Sequence, residues 1–408
     1  SSQKKRVGLI SLGCPKNQVD SEIMLGELAN QGHEIVTDIE TADTVIVNTC
    51  GFVEEAKQES IDSILEVAGA KSRGDKQLYV AGCMANRYGP DLAAEIPEID
   101  GFIGLDELRD VSALVRIGGG PQPPSQSHMV FDHTAPRLLT TRGYAYLKVA
   151  EGCDNPCTFC AIPSWRGQFR SRSIESLVTE ARQLEESGTR ELCLIAQDTT
   201  RYGEDLGLGR HGLVRLVESL LTATSYDWIR FLYAYPTTLD GALIELMAQE
   251  PRFVSYVDMP LQHCHPAILK AMRRGGSAGR YLDLLGRIRE TVPDVFLRST
   301  FIVGFPGETE EHFEDLVEFV EKAQLDHLGA FTFSPEEGTP AAELPNTVPR
   351  SVARIRYERL LEAQRPISES RRRGLVGRTL PVLIEGVCEE TEHLLQGRHH
   401  GMAPEIDG

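Results

Sequence analysis

Long apolar runs are missing from this sequence, and no stretch approaches the length of a membrane span. The first ten residues, SSQKKRVGLI, lack the apolar core of a signal peptide, so a cytoplasmic location and no membrane partner are expected. Excess positive charge is missing too. The 408 residues carry 42 Lys and Arg against 60 Asp and Glu, a formal net charge of −18. Proteins that bind nucleic acid mainly through phosphates are usually basic, so the bulk charge argues against that class and suits a basic macromolecular partner. A Walker A loop and a nucleophile elbow are also absent, which removes two common enzyme classes.

What is present fits an ordinary globular chain: 41% apolar and 25% charged residues, long enough for roughly two or three domains. Nine cysteines stand out. Their number is odd and no export signal accompanies them, so metal ligation or redox chemistry is expected rather than a disulfide framework.

The first part of the chain alternates β-rich and helical segments. Strands are expected over Arg6–Gly13, Thr44–Thr49 and Gln77–Gly82, with helices over Val19–Asn30 and Glu54–Ala68. That pattern predicts a small parallel sheet flanked by helices. Each strand runs into a cysteine: Cys14, Cys50 and Cys83. Ligands of open α/β sheets sit at the carboxyl ends of the strands, so three thiols delivered there can converge on one point. Three thiolates suit an iron–sulfur cluster with one iron left open; the competing reading is three inert, buried thiols.

A Gly/Pro/Ser-rich stretch, Gly118–Ser127, predicts a linker. Beyond it six further strands are expected, over Tyr144–Ala150, Glu191–Ala196, Ile229–Tyr235, Val254–Met259, Phe296–Val303 and His327–Phe333, with helical patterns between them. Right-handed crossovers curl six such units into a partial parallel barrel. A helix over Ser351–Arg373 ends in three arginines, Arg371–Arg373, and a β-like tail follows. The expected fold class is thus α/β: an α/β domain at 1–120, a linker at 121–139, a partial barrel at 140–366 and an incomplete β domain at 367–408.

The strongest signal is EGCDNPCTFC, which spaces Cys153, Cys157 and Cys160 as Cys-x3-Cys-x2-Cys just after the first barrel strand. Such barrels carry their active sites at the carboxyl ends of their strands. No fourth Cys or His lies on the loop, so a closed zinc site fits poorly, and a 4Fe-4S cluster with one open iron fits well.

This loop on a six-unit partial barrel resembles the radical S-adenosylmethionine (SAM) enzymes. The resemblance implies that the open iron binds the amino and carboxylate groups of SAM. SAM is then cleaved to a 5′-deoxyadenosyl radical that abstracts hydrogen from an unactivated carbon. With the three-cysteine α/β domain in front and a β segment behind, essentially the whole chain resembles the methylthiotransferases. The resemblance assigns Cys14, Cys50 and Cys83 to a second 4Fe-4S cluster that carries the sulfur to be inserted, and two SAM molecules are consumed per turnover. The segments AIPSWRG, AQDTTRYG, LYAYPTT and DMPLQH resemble the branch that methylthiolates the β-carbon of an aspartate in ribosomal protein uS12. That substrate is strongly basic, in keeping with the charge of this chain. The tail then resembles a TRAM domain.

The resemblance further implies SAM contacts at Phe159, at Gln197 and Asp198 beyond the second barrel strand, and at Ile302 and Gly304 in TFIVGFPGE. Glu308 stands one place from the usual carboxylate position, and a carboxylate at a strand end is as often a helix cap. A flavodoxin-like electron donor and a sulfide or polysulfide donor are the expected auxiliary partners. Two other readings stay open: methylthiolation of a tRNA adenosine, and a non-catalytic iron–sulfur carrier or assembly factor. Cys193 and Cys388 read as packed thiols, His263-Cys264-His265 as a loop, and His399-His400 as solvated. Arg371–Arg373 reads equally as a solvated helix end or as the start of a ribosome-facing surface.

Overall fold

The computed structural model describes residues 4–71, 76–117, 126–388 and 391–407. By contact density the chain forms two compact units. One comprises residues up to 140 together with 150–154 and 161–172, and the other comprises the remainder. The glycine-rich centre of the expected linker, 118–125, lies outside the described residues.

The first unit is built on five parallel strands: β1 (Arg6–Ser11), β2 (Glu34–Ile35), β3 (Thr44–Thr49), β4 (Gln77–Gly82) and β5 (Gly101–Ile103), in the order β2-β1-β3-β4-β5. Every residue of β3 is buried, as a central parallel strand covered on both faces requires. Helices α2 (Glu54–Lys71) and α3 (Cys83–Glu95) pack on the face formed by Val45, Val47, Leu78 and Val80. On the opposite face the Tyr79 hydroxyl donates to the Leu114 carbonyl of α4 (Val111–Ile117) at 3.3 Å. The strand order reverses between β1 and β3, and the crevice outside their carboxyl ends is the place where such sheets bind ligands. Helix α1 (Pro15–Asn30) starts four residues before the expected Val19, because Cys14 is its N-cap and Pro15 occupies its first position.

The second unit carries the six expected barrel strands in parallel, as two three-stranded sheets. The strands are Tyr144–Lys148, Glu191–Ile195, Trp228–Phe231, Tyr256–Asp258, Phe296–Val303 and His327–Thr332. The sheets meet at a parallel bridge between Ile229 and Phe253, just ahead of the fourth strand. Two non-glycine residues beyond strand ends, Tyr233 (φ 63°) and Gln262 (φ 71°), adopt left-handed backbone, a strain of about 1–3 kcal/mol each that clusters at functional rims.

The chain ends beneath this barrel. A helix over Arg350–Arg373 is followed by an antiparallel hairpin, Val382–Val387 with Leu395–His399. The last residues then reach the starts of the barrel strands. Tyr144 donates to Glu405 at 2.7 Å, Arg298 to Asp407 at 3.1 Å, and His327 Nε2 meets the Gly401 carbonyl at 2.8 Å. Buried Glu191 pairs with both Arg230 and Arg398. The strand starts are thereby closed by polar structure, leaving the carboxyl ends for chemistry.

The expectation that His399 and His400 are solvated is wrong. His399 packs on Phe296, and His400 packs on Phe296 and Trp228. Arg371 is not free either, since it forks onto Asp326. Among the described residues no helix is long and apolar enough to cross a membrane.

Candidate functional site

The three N-terminal cysteines leave adjacent strands at one level. Ser11 stands opposite Asn48, and Thr49 opposite Gly82, so the chain segments that follow β1, β3 and β4 start side by side. Glycines aim two of these segments. Gly13 (φ 91°) precedes Cys14, and a Cβ placed there would lie 2.8 Å from Cys50 Cβ. Gly82 (φ 88°) precedes Cys83 and lies against Thr49 and Asn48. Cys50 is pinned by Ser60, whose hydroxyl accepts from the Cys50 N–H at 3.0 Å.

The thiols sense one another. Burial and then repulsion from Cys83 and Cys14 push Cys50 up to about 12. Burial raises Cys83, with Arg166 opposing and Cys14 adding to the rise. Burial also acts on Cys14, but Lys16, Arg166 and the backbone N–H groups of Asn17 and Lys16 outweigh it and lower its pKa. Cys14 caps α1 and Cys83 opens α3, so two of the three sulfurs sit where helix N-termini favour a thiolate. Among the described residues no three Cys, His, Asp or Glu gather closely enough to hold one ion. A cluster asks less of its thiols, because each binds its own iron. Coupled thiols from three strand ends, beside a buried guanidinium, fit that group.

The second cysteine set begins at a small antiparallel ribbon, Ala150–Glu151 with Arg170–Ser171. Gly152 (φ 77°) turns the chain out of it, and the Cys153 N–H donates to the Gly167 carbonyl at 3.1 Å. Further along, Thr158 donates through its N–H to Met272 O at 3.1 Å and through its hydroxyl to Ala271 O at 2.8 Å. The Cys160 N–H closes a turn onto Cys157 O at 3.2 Å. Arg274 Nη1 approaches Cys157 Sγ at 3.5 Å while its guanidinium lies 4.2 Å over the Tyr235 ring. Burial and Cys157 push the Tyr235 hydroxyl up to about 12 against the pull of Arg274. A cationic and aromatic wall thus faces Cys157, which suits a thiolate.

Phe159 and Ile302 meet in one apolar cluster with Ile268, Met272 and Phe305. Gly304 (φ 75°) ends the fifth barrel strand against Ala353, and its N–H donates to Glu308 at 2.9 Å. Glu308 is buried and also receives Arg356 at 2.7 Å, which makes it a brace for the strand end. Asp198 is buried as well, and burial raises its pKa against its hydrogen bonds from Thr200 and Asn155. Asn155 donates to it at 2.8 Å, so Asp198 holds the cysteine loop between Cys153 and Cys157. Gln197 stands next to it beyond the second strand. Sequence reasoning missed Tyr235, Arg274, Asn17 and Arg166. Tyr235 lies in LYAYPTT and Arg166 in AIPSWRG, but nothing in their spacing announced a contact with a cysteine.

His265 caps the helix that starts at Pro266, and His263 accepts from the His265 N–H, as a plain loop does. Cys193 is fully buried in its strand.

Comparison with known proteins bears on the whole chain. Residues 6–104 match a family described as Uncharacterized protein family UPF0004, and residues 147–320 match the Radical SAM superfamily. A protein of Solibacter usitatus named ribosomal protein uS12 methylthiotransferase RimO is 48% identical over 409 residues, covering 99% of this chain and 87% of that one. Its namesake in Geobacter sulfurreducens is 47% identical over 420 residues, covering 100% and 92%. Among solved structures, the radical SAM methyltransferase TsrM from Kitasatospora setae superposes with a TM-score of 0.58 at 15% identity, over 83% of this chain and 77% of that one. At that identity the likeness speaks for the fold alone.

Proposed function

This chain belongs to the ribosomal protein uS12 methylthiotransferase family, and from that premise we propose which of its residues carry the reaction. The enzyme is a radical SAM methylthiotransferase that acts on the β-carbon of a uS12 aspartate, with two 4Fe-4S clusters and SAM as cofactors. Cys14, Cys50 and Cys83 hold the N-terminal cluster, and Cys153, Cys157 and Cys160 hold the SAM cluster. When bound, the latter supplies the electron for SAM cleavage and the former carries the sulfur.

The chain's own residues do the positioning. Gly13, Gly82 and Gly152 turn the strand ends so that each following thiol faces its site. Asp198 steadies the SAM loop through Asn155, and Arg274 with Tyr235 lines the Cys157 side. Phe159 and Ile302 offer an apolar surface for the adenine, and Gly304 lets the strand end pass close to the helix behind it. Gln197 is assigned to the polar end of SAM.

The working division of the chain is 1–120, a linker at 121–139, a barrel at 140–366 and a C-terminal β domain at 367–408. A basic ribosomal protein complements a surface carrying −18. We further assign a cytoplasmic site of action, a flavodoxin-like electron donor and a sulfide or polysulfide source. Full-length likeness to enzymes named for uS12 favours a protein over a tRNA substrate, and an enzyme over a passive carrier.

The observation that carries the assignment is the pair of three-thiol sets, each delivered to the carboxyl ends of parallel strands. Replacing Cys14, Cys50 or Cys83 by Ala should abolish methylthiolation while 5′-deoxyadenosine still forms. Replacing Cys153, Cys157 or Cys160 should abolish both. Loss of SAM cleavage in the first set, with the protein folded, would refute the division of labour.

A further inference from the structure

Arg166 lies just beyond the SAM loop in sequence, yet it is buried beside an N-terminal cysteine. The residue is 2% exposed, and its guanidinium engages on all three nitrogens. Nε donates to Cys83 Sγ at 3.3 Å, Nη1 to Glu151 at 2.9 Å, and Nη2 to Asn17 Oδ1 at 2.8 Å and Asp20 at 2.9 Å. Each partner has a place in the site. Asn17 ties the β1 and β3 ends together by donating to the carbonyls of Leu12 at 3.1 Å and Thr49 at 2.7 Å. Glu151 lies two residues before Cys153, and one of its oxygens receives the Gly152 N–H at 3.2 Å. Asp20 lies on α1, which Cys14 caps.

A structural explanation covers part of this arrangement. Two buried carboxylates need a cation, and Arg forks between them better than Lys. It leaves the bond to sulfur unexplained, because neither carboxylate requires Nε to point at Cys83. A hydrogen bond and a fixed positive charge at a ligand sulfur draw density from a cluster and favour its reduced, more negative state. These are the levers by which proteins set cluster potentials.

We propose that Arg166 is a positioning residue for the N-terminal cluster: its Nε–H bond to the Cys83 sulfur raises the reduction potential of the cluster held there. Its bond to Glu151 ties that setting to the root of the SAM loop. The inference rests on the ligand assignment given above, and the test separates the two.

The test uses the full chain carrying C153A, C157A and C160A, so that one cluster is measured. After anaerobic reconstitution, iron per chain is counted and the cluster is titrated with mediators while its reduced signal is followed by electron paramagnetic resonance. The parent should load one cluster. Arg166→Gln, which loses the charge and keeps only a neutral, weaker amide donor, should shift the midpoint to more negative potential. Arg166→Lys keeps the charge but cannot serve the sulfur and both carboxylates together, so it should shift less in the same direction. The Lys variant also decides the question if Asp20 and Glu151, left without their cation, keep the Gln variant from folding. A loaded variant with the parent's midpoint, or a shift to more positive potential, overturns the role of Arg166. A parent that binds no cluster overturns the ligand assignment instead, and the inference with it.

Discussion

Gly152→Ala tests how the chain aims its cysteines. The residue has φ 77°, and an added Cβ would lie 2.0 Å from the Gln168 carbonyl oxygen and 2.6 Å from that of Gly167. Left-handed backbone costs an L-residue about 1–2 kcal/mol. Forcing an extra carbon into packed atoms typically costs about 1–3 kcal/mol more, and here the obstacles are backbone carbonyls that cannot rotate away. Together these give about 2–5 kcal/mol, or roughly a thirty- to several-thousand-fold bias against the native loop. The ribbon that anchors the turn pairs only two residues on each side, so the strain is relieved by turning the peptide before Cys153 rather than by unfolding the domain. Cys153 is then misdirected. Iron and sulfide per chain should fall by half, 5′-deoxyadenosine formation should drop at least tenfold, and the circular dichroism spectrum should be retained. Gly82→Ala is the mirror experiment, since its Cβ would meet Asn48 Oδ1 at 2.2 Å and Thr49 O at 2.6 Å. It should remove the other half of the iron and all methylthiolation while SAM cleavage continues. If Gly152→Ala loads both clusters in full and cleaves SAM at the parent rate, the reasoning fails.

Other expectations are as specific. Asp198→Asn offers one acceptor to two donors, a loss of about 1–2 kcal/mol, so SAM cleavage should slow roughly tenfold with iron content unchanged; an unaltered rate would remove Asp198 from the loop's support. Gly304→Ala drives a Cβ to 2.4 Å from Ala353 Cβ, so its urea midpoint should fall, and Ala353→Gly in the same chain should recover part of the loss. Burial lowers the pKa values of His399 and His400 below their ordinary value. The unfolded chain therefore binds more protons below about pH 6.5, so the stability these rings contribute is complete above that pH and is lost as pH falls through the folded values. Amide protection factors in the C-terminal hairpin, corrected for the intrinsic slowing of exchange at low pH, should be smaller at pH 5 than at pH 7.5, and equal protection at both would contradict the packing role.

The strands were legible because parallel strands covered on both faces read as continuous apolar runs, as in TVIVNT. Strands of two or three residues, Glu34–Ile35 and Gly101–Ile103, carry too little pattern to be seen. The start of α1 was misplaced for a different reason. Lys16 and Asn17 are polar but buried, because the helix turns them toward the site rather than toward solvent. Cysteine spacing and position at strand ends made the two thiol sets visible. The glycines that aim them are local features whose importance depends on distant carbonyls. Arg166 shows the limit most clearly, since its partners Cys83 and Asn17 are 83 and 149 positions away. His399 and His400 misled for the same reason: a polar pair near the end of a chain looks solvated until the chain folds back under the barrel.

The most direct test of the central claim is anaerobic and competitive. The reconstituted enzyme receives SAM, reductant and sulfide, with ribosomal protein uS12 and unmodified tRNA together as substrates, and mass spectrometry follows both. The account predicts a methylthio group on one aspartate of uS12 and none on the tRNA. A methylthio group on a tRNA adenosine with uS12 untouched would contradict it.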